Sequence, residues 1–332
     1  MAEKPAPKYK LRRPKIGLAL GSGVARGWAH IGILKAMKAR GIVPDVVAGT
    51  SVGAVVGAAY VTGSLERLED WTRNLSKINF FRYLDFKLRG AGLFGGKKLH
   101  DLMVKSFGNQ NIEDLKTPFT AIACELMSGH EIWLRDGSLI DAVQASFALP
   151  GVFEPFCHEG RWLVDGALVN PVPVSACRAM GAELVIAVNL VEDMYGRARA
   201  EREGLIGTGK YGVFTEFMKP QTLTSNPLSQ TFIRKLLTHK NDSPSIFANM
   251  AASLNIIQNR LARSRLAGDP PDILIAPRAG HIGLMEFHRG AELIEIGEKA
   301  FEDEYDSLLD ALTIIGYRIN RARARDQKRK KT

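Results

Sequence analysis

The sequence predicts an α/β domain built on a largely parallel β-sheet. The chain has 332 residues, of which 45% are hydrophobic and 24% charged, a composition typical of a globular domain with a large core. Short apolar runs alternate with helical patterns, and the first fifty or so residues after the N-terminal arm read strand, helix, strand, helix. This alternation is typical of βαβ units, whose strands are parallel.

The elements follow in order along the chain. Each predicted strand is a short apolar run, at residues 15–20, 45–48, 119–124, 131–134, 162–164, 184–189 and 273–276. Each predicted helix has apolar residues at helical spacing, at residues 28–40, 52–61, 64–75, 98–107, 139–147, 173–180, 247–266 and 286–312. The domain is predicted over residues 15–316. Residues 193–246 are polar and lack a steady period, so we interpret them as an insertion or lid within it.

Basic residues are concentrated in two terminal arms, residues 1–14 and 317–332. Of the net charge of +10, residues 1–15 carry +5 and residues 318–332 carry +7, so the body between them is slightly acidic. Such arms are typical of solvated disordered segments. They also suit an anionic membrane surface, where each basic residue near the headgroups contributes on the order of 1 kcal/mol. Nucleic-acid binding is the less favoured alternative, because no recognition motif accompanies the charges.

The protein is predicted to be cytoplasmic, and its basic arms allow a peripheral position on the inner membrane face. No secretory signal follows the basic N-terminus. No apolar run reaches the roughly 18 residues that a spanning helix needs. Three scattered cysteines, Cys124, Cys157 and Cys177, form no CxxC pair and are interpreted as reduced thiols of the core. The oligomeric state is not predicted.

Residues 21–27, GSGVARG, form a glycine-rich turn before the first helix. The dinucleotide-binding pattern GxGxxG fits at Gly21 and Gly23 but fails at Arg26. The nearest acidic residue, Asp45, precedes its strand instead of following it, so a nicotinamide cofactor is not expected. Successive backbone amides at a helix N-terminus still form an anion cradle. Such a cradle suits a phosphate or the oxyanion of an acyl-transfer reaction.

Residues 49–53, GTSVG, place Ser51 between a predicted strand and a predicted helix. This is the layout of a nucleophile elbow, which exposes the serine hydroxyl beside a helix N-terminus. The flanking glycines would let neighbouring backbone approach the serine closely. GxSxG alone is a weak pattern, however, and a helix cap by Thr50 or Ser51 explains the same residues. Both interpretations stay open at this point.

A serine nucleophile needs a base, and an aspartate is the better candidate. An α/β-hydrolase would supply a later histidine such as His281 or His288, but it would also place more than two strands before its serine. Asp165 follows a strand in the apolar stretch RWLVDGALVNPVPV. Asp-Gly is by itself a common turn, whereas burial of the carboxylate would raise its pKa and make it a better base. No residue cluster has metal-ligand spacing, so no metal is expected.

Three motifs in this order, GSGVARGWAHIGILKA, GTSVGA and LVDGALVNPVPV, resemble those of the patatin-like phospholipases, in particular the compact bacterial members. Residues 145–156 and 272–297 also resemble family segments. The resemblance implies a three-layer α/β/α fold and a dyad without histidine or cofactor, with Ser51 as nucleophile and Asp165 as base. It implies a phospholipid or lysophospholipid substrate. It also implies that the oxyanion is bound by amides of the glycine-rich loop, from Gly21, Ser22, Gly23 and Val24.

The loop departs from the family pattern, which often has glycine where this chain has Ser22 and Val24. A β-branched residue is strained at positive φ, so an oxyanion hole that needs a left-handed backbone at Val24 would be imperfect. We therefore keep two alternatives to a serine lipid acyl-hydrolase, namely a lipid-binding or regulatory protein with weak hydrolysis and an acyltransferase. Arg26 is interpreted either as an anchor for a lipid phosphate or as a pin that holds the loop to a carboxylate.

Residues 78–98 mix aromatic and basic side chains. They are interpreted as a surface helix and loop that cover the core. The alternative is an entrance where Phe80, Phe81 and Phe94 contact acyl chains while lysines meet headgroups.

Overall fold

The computed structural model describes residues 13–76, 85–86, 92–193 and 246–317. Except for their innermost residues, the two basic arms and the predicted insertion at 193–246 lie outside the described residues. Phe80 and Phe81 also lie outside them. Within the described part of the chain, no helix is long and apolar enough to cross a bilayer.

The described strands form a central sheet and a small second sheet. The strands of the central sheet are β1 (Ile16–Leu20), β2 (Val46–Thr50), β5 (Phe119–Glu125), β6 (Glu131–Leu134), β8 (Phe156–His158), β9 (Arg161–Asp165), β10 (Leu184–Val188) and β11 (Ile273–Ile275). The small sheet contains β3 (Asp85–Phe86), β4 (Gly92–Gly95) and β7 (Gly151–Phe153). Neighbours in the order β11-β10-β1-β2-β5 are parallel, whereas β6, β8 and β9 are antiparallel to their partners.

The described helices cover both faces of the central sheet. They are α1 (Ala29–Ala39), α2 (Val52–Val61), α3 (Leu65–Arg73), α4 (Lys97–Phe107), α5 (Leu139–Ser146), α6 (Val174–Ala179), α7 (Ile246–Gly268), α8 (Gly290–Asp303) and α9 (Tyr305–Ile314). In β1, Leu18 and Leu20 enter one buried cluster with side chains of α1, α2 and α8, and Ala19 enters another with side chains of α6 and α7. Alternating side chains of one strand thus fill two cores, which confirms the predicted three-layer α/β/α fold.

The element predictions agree with the structure except at the edges and in the last helix. The predicted helix at 286–312 is wrong as a single element, because it divides at Glu304 into α8 and α9. Four of the five residues from Glu302 to Asp306 are acidic; neighbouring like charges repel, and acids favour a new helix N-terminus. Strands β3, β4, β7 and β8, which are two to four residues long, were not predicted. Cys157 on β8 is exposed, so only the other two cysteines belong to the core.

The register of β5 brings two distant strands together. Ala121 and Ile122 pair with both β2 and β6, while Ala123 and Cys124 pair with both β6 and β9. A strand has only two edges, so β2 and β9 lie end to end along the edge opposite β6. Thr50, the last residue of β2, faces Ile122, and the last residue of β9 faces Ala123, one position further.

Candidate active site

Ser51 lies on a strained turn at the carboxyl end of β2. Its backbone has φ 57° and ψ −124°, a conformation that a non-glycine residue rarely adopts. The turn is crowded, since a Cβ atom at Gly53 would collide with the carbonyl oxygen of Leu20 and one at Gly27 would collide with Val52. The Ser51 side chain makes no capping bond to α2, and the Thr50 hydroxyl donates to the Asn170 carbonyl at 2.9 Å. The helix-cap interpretation of both residues is therefore wrong.

Asp165 accepts a hydrogen bond from the hydroxyl of Ser51. The end-to-end arrangement of β2 and β9 places the Ser51 Oγ 2.6 Å from Oδ2 of Asp165, although 114 positions separate them in the chain. The other carboxylate oxygen, Oδ1, accepts the amide of Ala167 at 2.8 Å. Burial raises the pKa of this carboxyl to about 6, although both hydrogen bonds oppose the shift. A buried carboxylate with this pKa is charged at neutral pH and can accept the hydroxyl proton.

None of the histidines of the described residues lines the cavity that contains this pair. His30 on α1 is fully buried, which lowers the pKa of its ring to about 4. Its Nε2 lies 2.8 Å from the carbonyl oxygen of Gly21; because that oxygen can only accept, Nε2 carries the proton. His30 thus supports the glycine-rich loop. His281 pairs with Glu292 at 3.0 Å.

Two amides of the glycine-rich loop are used to hold the fold together. The amides of Gly21 and Ser22 donate to the carbonyls of Val188 (3.1 Å) and Pro171 (2.8 Å). An amide has one proton, so the expectation that these two bind an oxyanion is corrected by the structure. Among the described backbone hydrogen bonds, the amides of Gly23 and Val24 donate to none.

Val24 adopts the left-handed conformation that its side chain disfavours, with φ 52°. It lines the same cavity as Ser51 and Val52. The amide of Val52, the residue after the serine, also donates to no backbone carbonyl among the described residues. Val52 was not among the residues predicted for the site. Its position directly after the serine is a signal for a candidate oxyanion donor, because its amide lies at the start of a helix.

Arg26 is buried beneath the loop, with 2% of its surface exposed. Its Nε donates to the carbonyl of Ile282 at 3.0 Å and its Nη2 to that of Gly280 at 3.2 Å. The side chain therefore pins the loop to the segment before α8. A lipid phosphate could reach this guanidinium only if that packing opened.

An apolar cavity of about 140 Å³ opens beside the pair. Its polar lining residues are Ser51, Asp165, Arg67 and Ser106. The remaining lining is aliphatic or aromatic, from Val24, Trp28, Val52, Val55, Leu68, Trp71, Leu99, Leu102, Met103, Phe107, Phe147, Leu149, Val152, Phe153, Met285 and Phe287. Such a lining suits an alkyl chain, because each buried methylene contributes about 0.8 kcal/mol.

Phe94, which the alternative interpretation of residues 78–98 placed at an entrance, is instead buried in the core. Its ring packs 6.4 Å from that of Phe153, which lines the cavity, so Phe94 supports the cavity wall from behind. The described residues contain no group of three or more His, Cys, Asp or Glu placed to hold a metal ion.

Ser146, the last residue of α5, is a further polar contact of the site that the sequence did not reveal. It is fully buried, and its Oγ lies 2.9 Å from the amide of Ser51 and 2.6 Å from the carbonyl of Ile122. The signal was weak, because a serine within an apolar helix end is common.

Similarity to known proteins indicates the family of this chain. The family described as patatin-like phospholipase matches residues 18–178, a range that includes Ser51 and Asp165. An uncharacterized NTE family protein of Mycobacterium tuberculosis is 30% identical to this chain, in a match that covers 91% of this chain and 96% of the relative. The neuropathy target esterase sws of Drosophila melanogaster is 34% identical over 53% of this chain, and the lysophospholipase NTE1 of Pyricularia oryzae 28% identical over 86%. These matches cover only 13% and 18% of those longer proteins. The chain therefore belongs to the patatin-like phospholipase family, and a relative that matches it over nearly its whole length is an NTE family protein.

Proposed function

We propose that the protein is a serine lipid acyl-hydrolase that cleaves a carboxylic ester of a phospholipid or lysophospholipid. The observation that carries the proposal is the 2.6 Å hydrogen bond from the Ser51 hydroxyl to the buried Asp165 carboxylate, at the wall of an apolar cavity. Family membership and the names of the esterase and lysophospholipase relatives support the substrate class.

The chemistry proceeds in two steps. Asp165 takes the proton of Ser51 as Oγ attacks the ester carbonyl carbon, and collapse of the tetrahedral intermediate expels the alcohol, which receives that proton. Water then gives a proton to Asp165 while its oxygen attacks the acyl-serine. The fatty acid leaves and the serine regains its proton. The cavity holds the acyl chain during both steps.

The negative oxygen of each intermediate is held by backbone amides, with Gly23, Val24 and Val52 as the donors. Their support is that none of the three donates to a backbone carbonyl among the described residues, while Val24 and Val52 line the cavity beside Ser51. A well-aimed donor of this kind lowers the barrier by about 3 kcal/mol. The proposal no longer includes the amides of Gly21 and Ser22.

The terminal arms extend the proposal to the membrane surface. The net charges of +5 on residues 1–15 and +7 on residues 318–332 favour anionic headgroups over neutral ones. Binding to anionic vesicles that weakens with salt, and weakens further when residues 318–332 are removed, would support this part independently of catalysis.

A fluorophosphonate probe tests the nucleophile, because it phosphonylates activated serines. We expect labelling of wild type at Ser51, located by peptide mass spectrometry, and loss of labelling in Ser51→Ala. Ser128→Ala removes an exposed serine and serves as the matched control, which should label like wild type. Hydrolysis of lysophosphatidylcholine, measured as release of fatty acid, should also disappear in Ser51→Ala and persist in Ser128→Ala. Labelling that persists in Ser51→Ala would remove Ser51 from the role.

The same assay separates the hydrolase from its alternatives. Vesicle binding by wild type with no turnover across a panel of phospholipid and lysophospholipid esters would favour the lipid-binding protein. Formation of an acyl-glycerol or acyl-lipid in place of free fatty acid would favour the acyltransferase.

A further inference from the structure

We propose that Ser146 is a positioning residue that holds Ser51 in its reactive conformation. The inference rests on the proposed function and adds a residue to it. Ser146 touches neither the hydroxyl of Ser51 nor the carboxylate of Asp165; its contact is with the backbone amide of Ser51, at 2.9 Å.

The direction of each hydrogen bond follows from the groups present. The carbonyl of Ile122 can only accept, so the Ser146 hydroxyl donates its proton there, at 2.6 Å. Its oxygen then presents lone pairs to the Ser51 amide, which can only donate. The hydroxyl therefore links β5 to the turn after β2 in one defined orientation.

This link matters because the Ser51 backbone is strained. A positive φ at a non-glycine residue costs on the order of 1–3 kcal/mol and persists only when surrounding contacts fix it. The amide bond to Ser146 is such a contact, and it acts on the residue that carries the reacting oxygen. Without it, the buried amide of Ser51 would lack this acceptor and the turn would gain a reason to relax.

The same chain segment also holds the second member of the pair. The amide of Asp165 donates to the carbonyl of Ala148 at 3.0 Å, two residues after Ser146. The end of α5 thus contacts the backbone of both Ser51 and Asp165. Ile122, the acceptor for Ser146, lies opposite Thr50, at the junction where β2 ends and β9 begins.

Loss of the Ser146 hydroxyl should therefore slow the chemical step more than it weakens substrate binding. A displacement of the order of 1 Å at a reacting group can cost about 100-fold in rate. We expect Ser146→Ala to lower kcat by roughly 10- to 100-fold and to leave KM within about twofold, because the apolar cavity is unchanged.

The experiment compares three variants with a matched control at a temperature where each is folded by circular dichroism. Ser146→Ala removes the hydroxyl, Ser146→Thr keeps it with an added methyl group, and Ser146→Cys offers a weak acceptor. Thr120→Val is the control: Thr120 is also buried, on β5, and its hydroxyl lies 3.4 Å from the sulfur of Met180. Steady-state kinetics on an ester, the rate of fluorophosphonate labelling and the melting temperature are measured for all four.

Ordering of kcat by acceptor strength, wild type and Thr above Cys and Cys above Ala, with Thr120→Val near wild type, is the expected result. Equal kcat in Ser146→Ala and wild type, within about twofold, would overturn the inference. So would activity that follows melting temperature across all variants regardless of the hydroxyl. If the Ala variant does not fold, the contrast between Thr and Cys decides in the same way. Failure of the proposed function itself is distinguishable, because wild type would then turn over no ester, or labelling would survive in Ser51→Ala.

Discussion

Two turns at the carboxyl edge of the sheet hold a non-glycine residue at positive φ, and the two are fixed differently. Ser51, after β2, has φ 57°, and Val24, in the loop after β1, has φ 52°. The amide of Ser51 is bound by Ser146 and its hydroxyl by Asp165. The amide of Val24 has no backbone acceptor among the described residues. Under the proposed function the difference corresponds to two uses of strain: one turn would aim a side chain, and the other would leave an amide for the substrate oxygen.

The largest expected effect is a loss of kcat when the contact between Ser51 and Asp165 is changed. Asp165→Asn keeps the size and one acceptor oxygen but removes the base, so we expect kcat to fall by about 10⁴-fold, as when the acid of a serine-protease triad is neutralised. Ester hydrolysis with purified protein measures it. A fall of less than about tenfold would show that another group accepts the proton.

A second prediction concerns His30, which supports the glycine-rich loop. Its effect should be seen in the pH dependence of the free energy of unfolding. The folded state holds His30 neutral, with its pKa lowered to about 4, while the unfolded chain binds a proton near pH 6.5. Its contribution is therefore complete above pH 6.5 and is lost as the pH falls toward 4, by on the order of 3 kcal/mol.

Urea unfolding of wild type and His30→Gln at several pH values measures this contribution. Gln keeps a donor for the Gly21 carbonyl but does not titrate, so the gap between the two stability curves should narrow as the pH falls from 6.5 to 4. Parallel curves over this range would contradict the assignment of His30 as a buried neutral ring.

The smallest expected effect is a difference in stability between two substitutions at Val24. At ordinary positions, alanine stabilises a folded chain relative to glycine because the unfolded state has less conformational freedom. At φ 52° the order should reverse, and Val24→Gly should be more stable than Val24→Ala by about 1 kcal/mol. Thermal unfolding of the two variants measures the difference, and an Ala variant of equal or greater stability would show that the loop is not held in this conformation.

The sequence predicted the elements best where a pattern is local. The helix at 52–61 is found with the predicted bounds, because a run of Val, Ala and Gly between two turns is readable from the residues alone. The pairing of Ser51 with Asp165 came from ordered motifs and a family resemblance. Its physical cause, the end-to-end placement of β2 and β9 on one edge of β5, depends on strand register and has no local sequence signal.

Other features of the site could not be read because they depend on contacts between distant residues. Ser146 bonds to a residue 95 positions away, so nothing in its neighbourhood distinguishes it. Gly21 and Ser22 share the loop with Gly23 and Val24, and only the positions of Val188 and Pro171 decide which amides are occupied. The burial of Arg26 decides between its two interpretations, and the packing of residues 280–282 determines that burial.

The central claim is that Asp165 acts directly on Ser51, and the pH dependence of fluorophosphonate labelling tests it most directly. Because the pKa of the buried carboxyl is raised to about 6, the labelling rate of wild type should fall tenfold per pH unit below about pH 6 and level off above it. Asp165→Asn should label far more slowly, with no inflection near pH 6. An inflection of the same position and size in Asp165→Asn would contradict the account, because a different group would then control the reactivity of Ser51.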